Sequence, residues 1–308
     1  MRLSIIGAGG FVGTTLTRIA LQDPRVTHLT LVDTAAFEAP QDARITALTG
    51  DFGAPDLRAA LCEGADAVVH LAAILGGAAD RNYALARAVN VDATLALFEH
   101  LRDTAPQTRM VFASTVGVYG PALPDPVTDD TPFDPVMVYG AQKLMMEVAL
   151  SNFAARGWLD GVSLRPAGIM ARRGVSPALK SAFMNEVFHA VAEGRDITLP
   201  VAADSCSWMA SVSKVAEGFL HAACLPRLEG RRAFNLPALQ LRFGDLVAAL
   251  QRRFPDSASK VRYAPDPEAV ALFGSHPRLH ADRARALGFP ADRDVDALVS
   301  DALVGRGL

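Results

Sequence analysis

Cysteine is scarce, with 3 in 308 residues. Cys62, Cys206 and Cys224 form no CxxC pair and leave an odd thiol in any disulfide scheme, a usage that suits a reducing compartment. Net charge is nearly absent too, with 30 Lys and Arg against 33 Asp and Glu, a formal charge of -3 and a pI near 6.2. That balance gives no electrostatic case for nucleic acid. No run approaches the ~18 apolar residues of a membrane span. The glycines at 7, 9 and 10 interrupt the first apolar run too early for a secretory signal. Internal repeats and low-complexity tracts are also missing. No metal is expected: His276, His280 and Asp282 are close in sequence, but Pro277 lies between the histidines and no HExxH pattern exists. A soluble, cytoplasmic protein is the expectation.

What is present is apolar residue in quantity, half of the chain, enough for one large core and a smaller lobe. Short apolar runs at Leu3–Ile6, His28–Val32, Arg44–Leu48, Ala67–Leu71, Met110–Ala113 and Val162–Leu164 read as strands. They are continuous rather than alternating, as in a sheet covered on both faces. Helical patterns at about 11–23, 55–63, 80–103 and 137–156 lie between them. The alternation predicts an α/β fold, a Rossmann-type doubly wound parallel sheet over 1–166, followed by a smaller C-terminal substrate lobe over 167–308. Some later segments are allowed to return to the sheet. The lobe is expected to hold helices at about 177–192, 213–223 and Phe243–Arg253 and a strand near 207–212. The stretch 121–135 carries a proline every few residues and reads as an ordered surface loop.

The run Gly7-Ala8-Gly9-Gly10-Phe11-Val12-Gly13 follows the first strand and opens the first helix. Glycines there permit a tight turn, let backbone approach a pyrophosphate and let the helix pack on the sheet, while the helix N-terminus attracts the phosphate charge. Asp33 stands at the end of the second strand, twenty residues past Gly13, where a carboxylate accepts hydrogen bonds from ribose hydroxyls. No arginine follows it at once, so NAD is expected over NADP. The alternative for Asp33 is a turn cap.

Tyr139 and Lys143 are four apart in a predicted helix and so share one face. An ammonium beside a phenol favours phenolate, the form that can accept a proton from an alcohol. Val111-Phe112-Ala113-Ser114-Thr115 ends the fifth strand with two hydroxyls at its carboxyl end, where open α/β sheets bind ligands. Either can orient a reacting oxygen; the bland alternative is that both begin a turn.

The segments IIGAGGFVG, Asp33, TGD at 49–51, VVHLAA at 68–73, ARAVNVDAT at 86–94, VFASTVGVYG, YGAQK and LRP at 164–166 resemble, in order and spacing, the extended short-chain dehydrogenase/reductase family, which includes NAD-dependent epimerases and dehydratases. The resemblance implies an oxidoreductase that uses NAD. It assigns Gly7, Gly10, Phe11, Val12 and Gly13 to the pyrophosphate, Asp33 to the ribose, and Asp51 and Phe52 to the adenine end. The backbone at Leu71, Ala72 and Ala73, with Asn90 and Pro166, would line the cofactor. Tyr139 would transfer the proton, Lys143 would bind the nicotinamide ribose and tune Tyr139, and Thr115, with Ser114 beside it, would fall on the catalytic hydroxyl position. The family also implies a homodimer, with Met145 and Met146 of the catalytic helix facing the partner.

Nucleotide-sugar epimerases of the family carry an RxFxYVxD-like segment, and Lys214 stands where that pattern puts aspartate. The chain more closely resembles the branch that oxidises small four-carbon sugar acids such as D-erythronate. This likeness rests on HLAAILGGAAD at 70–80, GWLDGVSLRPAGIMARRG at 157–174, Ser181 and Phe183, and SWMASVSKVAEGFLHAA at 207–223, and departs at Gly76 and Val175–Leu179. Gly76, Ser181, Thr115 and Arg172 are therefore the substrate candidates. An arginine fork at Arg172, or at Arg173 beside it, suits a substrate carboxylate, and Lys180 is a further candidate. A small-molecule hydroxy acid or sugar acid is the expected partner. Two readings compete with this one: a nucleotide-sugar epimerase or dehydratase, and a non-catalytic NAD-sensing regulator on the same scaffold.

Overall fold

The computed structural model describes residues 1–174 and 180–304, so Val175–Leu179 and the expected helix start at 177–179 lie outside the described residues. The chain divides into two compact units. Met1–Gly120, Pro135–Arg165 and Ala216–Phe234 form the first, and Pro121–Asp134, Pro166–Val215 and Asn235–Leu308 the second.

The strands in chain order begin β1 (Arg2–Ile6), β2 (His28–Asp33), β3 (Ile45–Thr49), β4 (Ala67–His70), β5 (Arg109–Ala113) and β6 (Asp160–Arg165). They continue β7 (Gly168–Ile169), β8 (Ile197–Leu199), β9 (Cys206–Ala210), β10 (Ala233–Asn235), β11 (Leu239–Arg242) and β12 (Val261–Tyr263). The main sheet runs β10-β6-β5-β4-β1-β2-β3, and its first six strands pair in parallel. All six apolar runs are strands, displaced by a residue or two at their ends. Strand β10 is the later segment that joins the sheet edge. Helices α1 (Phe11–Gln22) and α2 (Pro55–Cys62) connect the first strands. The order reverses between β1 and β4, which opens a crevice beyond their carboxyl ends.

The expected single helix at 80–103 is instead four pieces: α3 (Gly76–Arg81), α4 (Tyr83–Arg87), a π-helical turn at Ala88–Ala93 and α5 (Thr94–Thr104). Two asparagines explain the breaks. Asn82 leaves helical geometry and its side chain accepts the N–H of Leu85 at 3.1 Å. Asn90, inside the widened turn, sends its side chain away to the loop after β4. A π-helical turn of this kind is a frequent mark of a functional position.

Helix α6 (Val138–Ala155) packs on the sheet with Met146, Leu150 and Phe153 against Phe98 and Phe112. Met146 is therefore core, 3% exposed, which corrects the expectation that it faces a partner; its neighbour Met145 is 53% exposed.

The second unit holds α7 (Ala182–Ala192), the start of α8 (Val212–Cys224), α9 (Phe243–Arg253), α10 (Pro267–Ala269), α11 (Asp282–Ala286) and α12 (Val295–Leu303). It has a sheet ordered β11-β9-β7 and a parallel pair β12-β8. Phe183, Val187 and Phe188 of α7, Phe243, Leu246 and Leu250 of α9 and Leu298 of α12 close one core. Lys214, where the nucleotide-sugar epimerase pattern puts aspartate, pairs with Asp301 at 3.6 Å. The carboxylate at that helix start comes from the C-terminal tail: Asp292 Oδ2 accepts the Ser211 N–H at 2.8 Å.

Candidate active site

The glycine loop has the shape a pyrophosphate requires. Gly7 has φ +87°, and a Cβ on it would meet the Ala72 nitrogen at 2.9 Å, so β1 and the loop after β4 touch here through bare backbone. A Cβ on Gly13 would fall 2.1 Å from the Gly7 carbonyl oxygen. Gly10 opens α1 with no side-chain cap and no acidic residue in the first turn, so the helix N-terminus is built to attract an anion. Asp33 Oδ2 accepts the Gly9 N–H at 2.9 Å and Oδ1 the Thr34 N–H at 2.8 Å. It does cap a turn, and the same bonds hold the carboxylate beside the glycine loop with acceptor capacity to spare. Among the described residues no cation pairs with Asp33, so nothing offsets its repulsion of a 2′-phosphate. These residues fit NAD. Asp51 is exposed and its carboxylate accepts the Gly53 N–H at 2.8 Å, while Phe52 is 2% exposed and packs edge-on against His70 with ring centroids 4.8 Å apart.

At the carboxyl end of β4 the chain passes Leu71, Ala72 and Ala73 to Ile74. Asn90 fixes this loop: its Oδ1 accepts the Ile74 N–H at 2.8 Å and its Nδ2 donates to the Ile74 carbonyl at 3.0 Å. The same Nδ2 donates to Gln142 Oε1 at 2.8 Å. Gln142 was missed by the sequence reading, because an amide between Tyr139 and Lys143 carries no motif weight. It joins the cofactor loop to α6 through one buried asparagine. Gly76 begins α3 with φ +41°.

His70 closes β4 and is fully buried. Thr94 Oγ1 donates its hydrogen to the Val89 carbonyl at 3.2 Å, so the 3.0 Å contact with His70 must carry the proton on the imidazole Nε2. Burial, with the nearby Lys143 charge, pushes the imidazole pKa well below its ordinary range. Among the described residues, His70 Nδ1, Ser114 Oγ and Gln142 Nε2 are buried polar atoms without a hydrogen-bond partner. They gather at the carboxyl ends of β4 and β5 and on the adjoining α6. Orphans of this kind mark places where a structure serves something other than its own packing.

Thr115 caps the short turn Val116–Tyr119, its Oγ1 accepting the Gly117 N–H at 3.0 Å. The hydroxyl hydrogen is not used by that bond, so capping the turn leaves Thr115 able to donate to a ligand oxygen. Ser114 is 2% exposed. Lys143 is also 2% exposed, with Nζ 4.5 Å from the Phe112 ring centroid and 5.8 Å from that of Tyr139. Burial opposes the phenolate form. Desolvation pushes the Tyr139 phenol up and brings the Lys143 ammonium down to about 7. The chain's own atoms hold both groups towards their neutral forms, and Lys143 is poised to change charge near neutral pH.

Pro166, Arg172 and Ser181 belong to the second unit. Arg172 follows Ala171, a buried alanine at φ +66°, in the left-handed region that costs an L-residue about 1 kcal/mol or more. The Arg172 N–H is held by Asn185 Oδ1 at 2.9 Å, and its guanidinium enters no ion pair among the described residues. Arg173 pairs with Glu193 at 3.3 Å and Lys180 with Glu268. Of the three cations Arg172 alone is left for a ligand on this count. Ser181 precedes α7 and is half-buried.

A family model described as the NAD dependent epimerase/dehydratase family matches residues 3–236. The D-erythronate dehydrogenase of Cupriavidus necator is 34% identical over 322 residues, covering 100% of this chain and 99% of that protein. The D-erythronate dehydrogenase of Haemophilus influenzae is 29% identical over 307 residues, covering 97% and 98%. Among solved structures, a nucleoside-diphosphate-sugar epimerase from Agrobacterium tumefaciens superposes with TM-score 0.89 at 30% identity, over 99% of this chain and 94% of that one. The holo form of a GalE-like L-threonine dehydrogenase from Cupriavidus necator superposes with TM-score 0.86 at 21% identity, over 99% and 100%, a likeness of fold.

Proposed function

The chain belongs to the NAD dependent epimerase/dehydratase family and is an NAD-dependent enzyme of the extended short-chain type, and within that family we propose that it oxidises a secondary alcohol of D-erythronate or a closely similar four-carbon sugar acid. The observation that carries this reading is the end-to-end match to D-erythronate dehydrogenases in a chain that keeps Tyr139 and Lys143 one turn apart on α6. Thr115 donates its hydroxyl hydrogen to the substrate oxygen and sets it against Tyr139. The Tyr139 oxygen takes the alcohol proton, and the Lys143 ammonium stabilises the phenolate that this requires. Bound NAD would supply the hydride acceptor, by which the secondary alcohol would become a ketone. Gly7, Gly10, Gly13 and Asp33 would hold the dinucleotide, and Asn90 fixes the loop after β4.

An absorbance panel at 340 nm tests the reading. With NAD, four-carbon aldonates should give NADH and longer aldonates, uronates and polyols progressively less; NADP should serve poorly because Asp33 repels its extra phosphate. The Agrobacterium neighbour at 30% identity favours a second reading, a nucleotide-sugar epimerase. Such an enzyme recycles its cofactor, so product isomer without net NADH would select it and defeat ours.

Arg172 is our candidate for the substrate carboxylate. Replacing it with alanine should raise KM for aldonates about 10-fold to 100-fold, the loss of one or two charge-assisted hydrogen bonds, while neutral polyols keep their KM. Equal changes for both substrate types would remove Arg172 from the site. We read the active form as a homodimer, with a second copy covering the exposed Met145 and Val148 of α6. Among the described residues no helix is long and apolar enough to cross a membrane, and we infer a reducing cytoplasm as its compartment.

A further inference from the structure

A buried charge cluster lies against α6. Arg165 ends β6 and is 1% exposed; Glu147, on α6, is 3% exposed and Tyr119 is 1% exposed. Arg165 Nε donates to Glu147 Oε2 at 3.0 Å, its Nη2 donates to Glu147 Oε1, and its Nη1 donates to the Tyr119 hydroxyl at 2.7 Å. The guanidinium fork thus binds Glu147 on α6 and the Tyr119 hydroxyl at the end of the 116–119 turn.

Those elements carry the proposed chemistry. Glu147 follows Lys143 by one helical turn and Tyr139 by two, on the same face of α6. Tyr119 ends the turn that Thr115 begins. The two pieces also touch at the other end: a Cβ on Gly140, the residue after Tyr139, would lie 2.6 Å from the Gly117 carbonyl oxygen. The turn bearing Thr115 is therefore pressed against α6 beside Tyr139 and tied to it again through Arg165. Well-packed apolar side chains would fill such a site at least as stably as a desolvated ion pair. What the fork adds is a fixed direction.

We infer that Arg165, Glu147 and Tyr119 form a positioning clamp that sets the distance and angle between the Thr115 hydroxyl and the Tyr139 phenol. The inference rests on the catalytic reading of Tyr139. All three are buried, and each acts through the elements it joins.

The test uses the full chain with NAD and D-erythronate, or whichever aldonate of the panel is turned over. Four variants are compared: Tyr119→Phe, Glu147→Gln, Arg165→Lys and the double variant Glu147→Met with Arg165→Met. The readouts are Tm, the Kd for NAD, and kcat per NAD-binding site. Tyr119→Phe should keep Tm and the Kd, with kcat down about tenfold. Arg165→Lys keeps the charge without the fork, and its kcat should fall about 100-fold, the scale of a misplacement near 1 Å, again with the Kd little changed. The double variant should fold and bind NAD yet stay slow. Wild-type kcat per NAD-binding site in Tyr119→Phe and Arg165→Lys would overturn the clamp. Should Glu147→Gln fail to fold, those two variants still decide. Tyr139→Phe run in parallel separates the failures: turnover retained there sinks the catalytic reading itself, whereas a dead Tyr139→Phe beside unaffected clamp variants sinks only the clamp.

Discussion

Replacing Tyr139 with phenylalanine is expected to lower kcat by about 10³-fold, within the range that general acid-base catalysis contributes, while the Kd for NAD changes by less than about threefold. The change deletes one oxygen from a half-buried ring on α6 and leaves the glycine cradle at Gly7, Gly10 and Gly13 untouched. The wild type should show a matching pH dependence. Desolvation raises the phenol, so alcohol oxidation should accelerate as pH rises and the phenolate becomes accessible, and that limb should vanish in the variant. Titration of NAD into both proteins, followed by single-turnover kinetics, measures the two effects separately. Turnover near the wild-type rate in Tyr139→Phe would remove the residue from the chemistry.

The centre of the sheet was legible because β4 and β5 are buried on both faces. Val68 and Val69 in β4 and Met110, Val111 and Phe112 in β5 are all fully buried, and a run of that kind has few other homes. The glycine cradle was legible for a related reason, since Gly7 and Gly13 stand where any side chain would strike backbone. The break in the helix at 80–103 was not. Asn82, which caps the Leu85 N–H, looks like an ordinary polar position, and Asn90, though singled out for the cofactor side, gives no sign in the sequence that it turns to Ile74 and widens the helix. The clamp was hidden similarly. Glu147 and Arg165 are 18 residues apart, and a buried ion pair has no period to betray it, although Glu147 one turn beyond Lys143 on the same face was a clue. Chain order also conceals partners: Asp292 supplies a carboxylate to the Ser211 N–H at the start of α8 from far along the tail.

Replacing Lys143 with methionine should abolish turnover and, in the same protein, raise stability at low pH. The ammonium is 2% exposed, and burial brings its pKa from 10.5 down to about 7. A folded-state pKa below the unfolded value means that folding disfavours the charged form. Below about pH 7 both states carry the proton and the full cost of burying the charge is present. Between about 7 and 10.5 the unfolded chain binds the extra proton, so stability rises with pH, and above that range the cost is gone. At about 1.4 kcal/mol per tenfold change in proton affinity, that lowering sets a ceiling of a few kcal/mol. The contact of Nζ with the Phe112 ring at 4.5 Å returns about 1 kcal/mol of that, and relaxation around the charge returns more. Methionine keeps the apolar stem and loses the charge. Its gain should therefore be about 1–3 kcal/mol at pH 6, several degrees in Tm for a chain of this size, and should fade towards zero by pH 10. Thermal unfolding of both proteins without NAD across that range measures it. A Tm difference that does not vary with pH would mean that Lys143 is not held charged against its surroundings. A difference that shrinks on the alkaline side would show that the amine needed for the reaction is kept in place at a direct cost to the fold.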